Sequence, residues 1–166
     1  MTITTLSTAY DRLIKNTKET TLFGSTIGLI GWDQEVMMPK KGIEYRSDQI
    51  AMMARMYHEM STDEKIGDWL SACEEDADLV GDQASVSATN IRELRHSYDR
   101  ATKLPTELVE EEALLESKGR EAWKEARKNN DFKEFQPWLE KIVELLQRKA
   151  ECYGWADGGE PWDALA

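Results

Sequence analysis

Histidine and cysteine are scarce in this chain, with two of each among 166 residues. That scarcity removes most routes to metal binding and nucleophilic catalysis, which draw on several imidazoles or thiols held at fixed spacings. Cys73 and Cys152 lie far apart and have no CxxC or cysteine–histidine neighbours, so no zinc knuckle is expected and both read as reduced thiols on helices. Proline is also rare, at four residues, and ten glycines leave room for long helices. No apolar run is long enough to span a bilayer, because residues 22–32 are too short and too dotted with glycine. The first ten residues lack both a basic start and a continuous apolar stretch, so neither a signal peptide nor an anchor is indicated and a cytoplasmic location is the expectation.

Positive charge is in deficit. Lys and Arg total 21 against 32 Asp and Glu, for a net charge of -11, which disfavours nucleic acid and anionic membrane surfaces as partners. Hydrophobic residues at 40% and charged ones at 32% suit one folded, well-solvated domain.

What is present is helical periodicity almost throughout, and no segment alternates with a period of two. Leu6, Tyr10, Leu13 and Ile14 form one face, which Ile27, Ile30 and Trp32 either continue or restart after Gly24. Met38-Pro39 ends that element. A second helix is predicted over 43–60, and Ser61 with Glu64 reads as a capping box for a short third helix carrying Ile66, Trp69, Leu70 and Cys73. The acidic stretch 74–82 reads as a loop, and a long helix follows over 83–101. Pro105 opens the next helix, which ends near Asn129-Asn130. Asp131 and Glu134 offer another capping pair, and the last helix restarts at Pro137, using Leu139, Ile142, Val143, Leu146, Ala150 and Tyr153. Gly154 and the Gly158-Gly159 pair close it. The expectation is an all-α bundle of about six mostly antiparallel helices over residues 1–153, with an irregular tail at 154–166.

His58-Glu59 begins like a zinc-peptidase HExxH, but the residue four after the histidine is Thr62, so His58 reads as a surface histidine near a helix end. Glu93 and His96 make one Glu-x-x-His unit of the di-iron type; with no second unit, a solvated intrahelical pair is expected. Glu110, Glu111 and Glu112 read as a solvated helix face. Met52, Met53, Met56 and Met60 read as core, with an adaptable binding surface as the alternative. Trp32, Trp69, Trp123 and Trp138 sit on helical faces, whereas Trp155 and Trp162 lie in the tail and should dock, either on the domain itself or on another polypeptide. Asp33 is expected to fix the turn before Met38-Pro39 through backbone amides while Trp32 anchors the helix end in the core. No catalytic, cofactor-binding or metal-binding residue is assigned.

Several segments in order carry a family resemblance: Gly31-Trp32-Asp33-Gln34-Glu35 with Met38-Pro39; residues 46–49 leading to Tyr57-His58-Glu59; and Asn90-Ile91-Arg92-Glu93 with Tyr98-Asp99-Arg100 and Lys103-Leu104-Pro105. Trp123-Lys124-Glu125-Ala126-Arg127 with Asn130-Asp131-Phe132 and Phe135, then Pro161-Trp162-Asp163-Ala164-Leu165, complete the set. Together they resemble the N-terminal region of the thermostable carboxypeptidases, zinc-dependent HExxH metallocarboxypeptidases. The resemblance implies a helical part that packs against catalytic helices and helps wall a substrate groove. In that family the HExxH helix, the third zinc ligand and the substrate motifs lie downstream of the last segment, so none carries over. The implied zinc belongs to the full-length family, and a chain of this extent is expected to be inactive alone. A separate catalytic domain or subunit, or a second copy of the chain, is the expected partner, and a stand-alone helical interaction or dimerisation module is the alternative function.

Overall fold

The computed structural model describes residues 8–166. Seven helices follow in order: α1 (Ala9–Val36), α2 (Ile43–Ser61), α3 (Glu64–Glu74), α4 (Ala77–Val80), α5 (Val86–Ala101), α6 (Thr106–Asn129) and α7 (Phe132–Tyr153). Single 3-10 turns occupy Lys40–Gly42 and Pro161–Leu165, and the described residues contain no strand. The predicted all-α bundle is what forms, with six substantial helices and the one-turn α4 added between α3 and α5.

Local chemistry sets most boundaries. Thr8 and Asp11 form a reciprocal capping box at the start of α1; Leu6 lies outside the described residues. The helix runs unbroken through Gly24, which settles the choice the periodicity left open. A Cβ on Gly24 would stand 2.9 Å from Cε2 of Tyr57, so this glycine permits close approach to α2. At 28 residues, α1 is about 42 Å long and packs against α3 and α2.

Four expected details change. Ser61 does not cap α3: its hydroxyl donates to the Tyr57 carbonyl (2.7 Å) at the end of α2, and Asp63 takes the N-cap position, accepting from the Lys65 amide. The acidic stretch is not all loop, because Asp76 caps α4 through the Asp78 amide. The following helix starts at Val86, where Ser85 accepts from the Ala88 amide. The last helix begins at Phe132, capped by Asp131, and continues through Pro137. Pro137 removes one backbone bond, toward the Lys133 carbonyl, near the helix start. The α6–α7 turn uses Asn130 in the left-handed conformation at φ 53°.

Two packed regions result. Leu13, Ile66, Leu70, Cys73 and Ile91 form one core, with Tyr10, Trp69, Leu94 and Tyr98 around it. Elsewhere α6 packs against both α2 and α7, and those three helices carry further buried apolar residues, Ala51, Met53, Leu108, Ala126, Leu145 and Ala150. Of the predicted α7 stripe, Ala150 is buried and Ile142, Leu146 and Tyr153 are half-buried, whereas Leu139 and Val143 are exposed and Leu145, outside that stripe, is buried. A buried polar chain also joins three helices: Ser117 of α6 donates to Oε1 of Gln34 on α1 (2.9 Å) and lies 2.9 Å from the Ser47 hydroxyl of α2. Both serine hydroxyls therefore have a partner, which offsets the desolvation penalty of burying them.

Candidate functional site

The sequence candidates do not gather into a centre. His58 is buried rather than on the surface, and its Nε2 lies 3.0 Å from the carbonyl oxygen of Leu104. A carbonyl can only accept, so Nε2 carries the proton in this bond. Glu59, its neighbour, is paired with Arg55 at 2.8 Å. Glu93 and His96 are exposed on α5 as expected, and the Glu93 carboxylate takes Nε of Arg92 at 3.1 Å. Among the described residues no three His, Cys, Asp or Glu side chains are grouped to hold a metal ion.

Glu110, Glu111 and Glu112 do more than solvate a face. Glu111 receives both Nη atoms of Arg148 (2.9 and 2.8 Å), Glu112 receives Lys149 (2.6 and 2.8 Å), and Glu110 lies 3.7 Å from Nε of Arg55. The run thus ties α6 to α7 and α2, a role that needs the helix pairing to be known.

Asp33 and Trp32 are also corrected. The Asp33 carboxylate accepts from Nη2 of Arg46 (2.6 Å), while Nη1 of Arg46 donates to the Ile30 carbonyl (2.9 Å). The turn is closed instead by the Asp33 backbone carbonyl, which accepts from the amides of Met37 and Met38. Trp32 is not in the core. With Leu22, Leu29 and Val36 it forms an outward stripe on α1, these four being 59, 72, 68 and 58% exposed in that order. Their spacing of seven and three residues places them within one face of the helix. Nothing stands within 4 Å of a Cβ built on Gly28 beside them, leaving bare backbone there. The seven-residue recurrence of Leu22, Leu29 and Val36 was the available sequence signal.

The methionines divide between the two readings: Met53 is buried and Met60 half-buried, whereas Met52 and Met56 are exposed with Tyr45 on α2. In the tail, the Pro161–Leu165 turn packs on α7, and Ala164 is buried. Arg100 of α5 donates Nη2 to the Ala164 carbonyl (2.9 Å) and stacks over Tyr153 at 3.9 Å from the ring centroid. Trp162, within that turn, nonetheless stays 77% exposed. Both cysteines are free. Cys73 is buried in α3, where desolvation first and the charges of Asp76 and Glu74 second push its thiol above the ordinary range.

Among the described residues no helix is long and apolar enough to cross a membrane. Among the described residues the most extended surface feature is the apolar face of α1.

Comparison with known proteins gives that face a context. Thermostable carboxypeptidase 1 of Thermus thermophilus is 40% identical over 164 residues, which cover 95% of this chain and 32% of that protein. Thermostable carboxypeptidase 1 of Pyrococcus furiosus is 32% identical over 142 residues, 86% of this chain and 27% of its own length. The crystal structure of BsuCP superposes with a TM-score of 0.85 at 24% identity over 95% of this chain and 31% of that one, a likeness of fold. Metallocarboxypeptidase 1 of Trypanosoma cruzi gives a TM-score of 0.69 at 30% identity, covering 95% and 31%. The chain thus spans about a third of the length of the proteins it matches. The family model of the carboxypeptidase Taq (M32) metallopeptidases matches residues 12–166, and the chain belongs to that family.

Proposed function

We propose that this chain forms the helical N-terminal part of a metallocarboxypeptidase that releases C-terminal residues from peptides, and that it does not hydrolyse peptides alone. The observation that carries the reading is the α1 stripe of Leu22, Leu29, Trp32 and Val36, held outward in a chain that matches only about a third of its relatives. Four large apolar side chains in register on one helix want cover, and the remaining two thirds of such an enzyme would supply it. In this reading that remainder would hold the zinc ion, which would supply Lewis-acid activation of water there. The residues of this chain bury, brace and orient; none is assigned a proton transfer.

Two experiments test this. A chimera in which the chain replaces the matching third of the Thermus thermophilus relative is expected to fold and retain carboxypeptidase activity. A folded but inactive chimera would remove the proposed role. The pure chain with added zinc or cobalt is expected to release no C-terminal residue from peptides, and metal-dependent turnover would overturn the inactivity.

A second reading rests on the same stripe together with exposed Trp162. In it the chain is an interaction module that pairs with a second copy through α1. Light scattering over a concentration series separates the two: a strictly monomeric chain contradicts the module, and a stable dimer favours it.

A further inference from the structure

The bundle holds a cleft that neither reading uses. It opens between α1, α2, α3 and α5, with a volume of about 310 Å³, and Leu13, Ile66 and Leu94 supply its apolar lining beside Tyr57 and Tyr98. No charged side chain lines it, although 32% of the chain is charged. Two glycines shape the aromatic walls. Tyr57 lies against Gly24, and a Cβ on Gly67 would stand 3.0 Å from Oη of Tyr98, so both rings rest on bare helix backbone.

One buried polar atom in this lining has no partner. The Thr17 hydroxyl donates to the Leu13 carbonyl (2.8 Å) and the Ser61 hydroxyl to Tyr57. Thr20, only 7% exposed, has a buried hydroxyl with no hydrogen-bond partner. A buried hydroxyl left unpaired is unfavourable, and a ligand atom that pairs with it recovers that loss. The volume sits at the low end of the range of about 300–1,000 Å³ for ligand sites, which fits one or two rings and not a peptide.

We propose that this cleft is a binding site for a small uncharged aromatic molecule with one hydrogen-bonding group, of the phenol or indole class. Its rings lie against Leu13, Ile66 and Leu94, and its polar atom pairs with the Thr20 hydroxyl. Charge is excluded because the lining offers no counter-ion and desolvating an ion without one is costly.

Amide NMR titrations of the full chain with indole, toluene and benzoate test the assignment. Indole is expected to saturate with a Kd on the order of a millimolar or tighter, shifting amides around Thr20, Leu94 and Tyr98, and benzoate is expected not to bind. Thr20→Val is expected to weaken indole by about fivefold, the loss of one neutral hydrogen bond, and to leave toluene unchanged. Ala101→Leu, which adds bulk to the lining, is expected to abolish both. Circular dichroism establishes that each variant is folded, and Thr20→Val decides the matter if Ala101→Leu is not. Absence of saturable binding, shifts elsewhere on the surface, or indole binding unaffected by Thr20→Val would overturn the proposal and leave a water-filled crevice.

Discussion

The imidazole of His58 is pinned to the carbonyl of Leu104 at 3.0 Å, joining the end of α2 to the turn between α5 and α6. The contact spans 46 residues of sequence, and it turns a half-motif of zinc chemistry into a tertiary fastening. His58→Ala removes the donor, leaves the carbonyl unpaired and opens a cavity, for an expected loss of about 2–3 kcal/mol. Urea denaturation checks this. His58→Gln, which keeps a donor, is expected to lose less, and equal losses for both would show that the bond contributes little.

Arg100, in the last turn of α5, makes a second fastening near the same end of the bundle. It holds the Ala164 carbonyl and the face of Tyr153 at once. Arg100→Met keeps much of the aliphatic stem but loses both interactions, and a destabilisation of about 1–2 kcal/mol is expected. Limited proteolysis is the sharper readout, since cleavage within 154–166 should accelerate while the helices stay resistant. An unchanged cleavage rate in the tail would contradict the latch.

The α1 stripe should be separable from stability. Leu29 is 68% exposed, so Leu29→Lys is expected to shift folding free energy by no more than about 0.5 kcal/mol. The same substitution should lower the fluorescence of a hydrophobic dye bound to the native chain, because it breaks the middle of the apolar face. A large stability loss would mean that Leu29 is packed inward.

Acid should weaken the α1–α6 contact. The Lys124 hydrogen bond at 2.8 Å, with a smaller contribution from the Arg120 charge, holds the Glu35 carboxyl below its ordinary 4.5 despite some desolvation. A carboxyl depressed by folding contributes stability above its unfolded value, and that contribution disappears as pH falls through the folded value. The expected effect is small, about 0.3–0.5 kcal/mol, because the pair is solvent-screened. Comparing Glu35→Gln with the parent chain between pH 7 and about pH 3 checks it: the difference in Tm should shrink on acidification. A constant difference would remove the linkage.

Helix placement was legible wherever a local signal acts alone. Met38-Pro39, Leu104-Pro105 and Gly154 mark breaks in the structure as in the sequence. Legibility failed where two local signals competed. Ser61 and Asp63 could each cap α3, and the chain uses the aspartate while Ser61 bonds backward into α2. It failed again at Trp32, since a large aromatic at helical spacing reads as core until a neighbouring helix is known to lie on its other side. His58 erred in the opposite direction, because the Leu104 carbonyl that justifies its burial is distant in the chain.

The sequence by itself determined the class of fold and the order of the main helices, because capping residues, prolines and a 3.6-residue period act within a few positions of one another; the family was carried by the ordered segments that resemble it. It also determined that histidine chemistry would be sparse, a matter of counting. Tertiary structure alone decided which side of each helix is buried, which carboxylates brace another helix, and that Leu22, Leu29, Trp32 and Val36 face outward. Burial is a property of what packs against a face, and a helix carries no record of its neighbours within its own few turns.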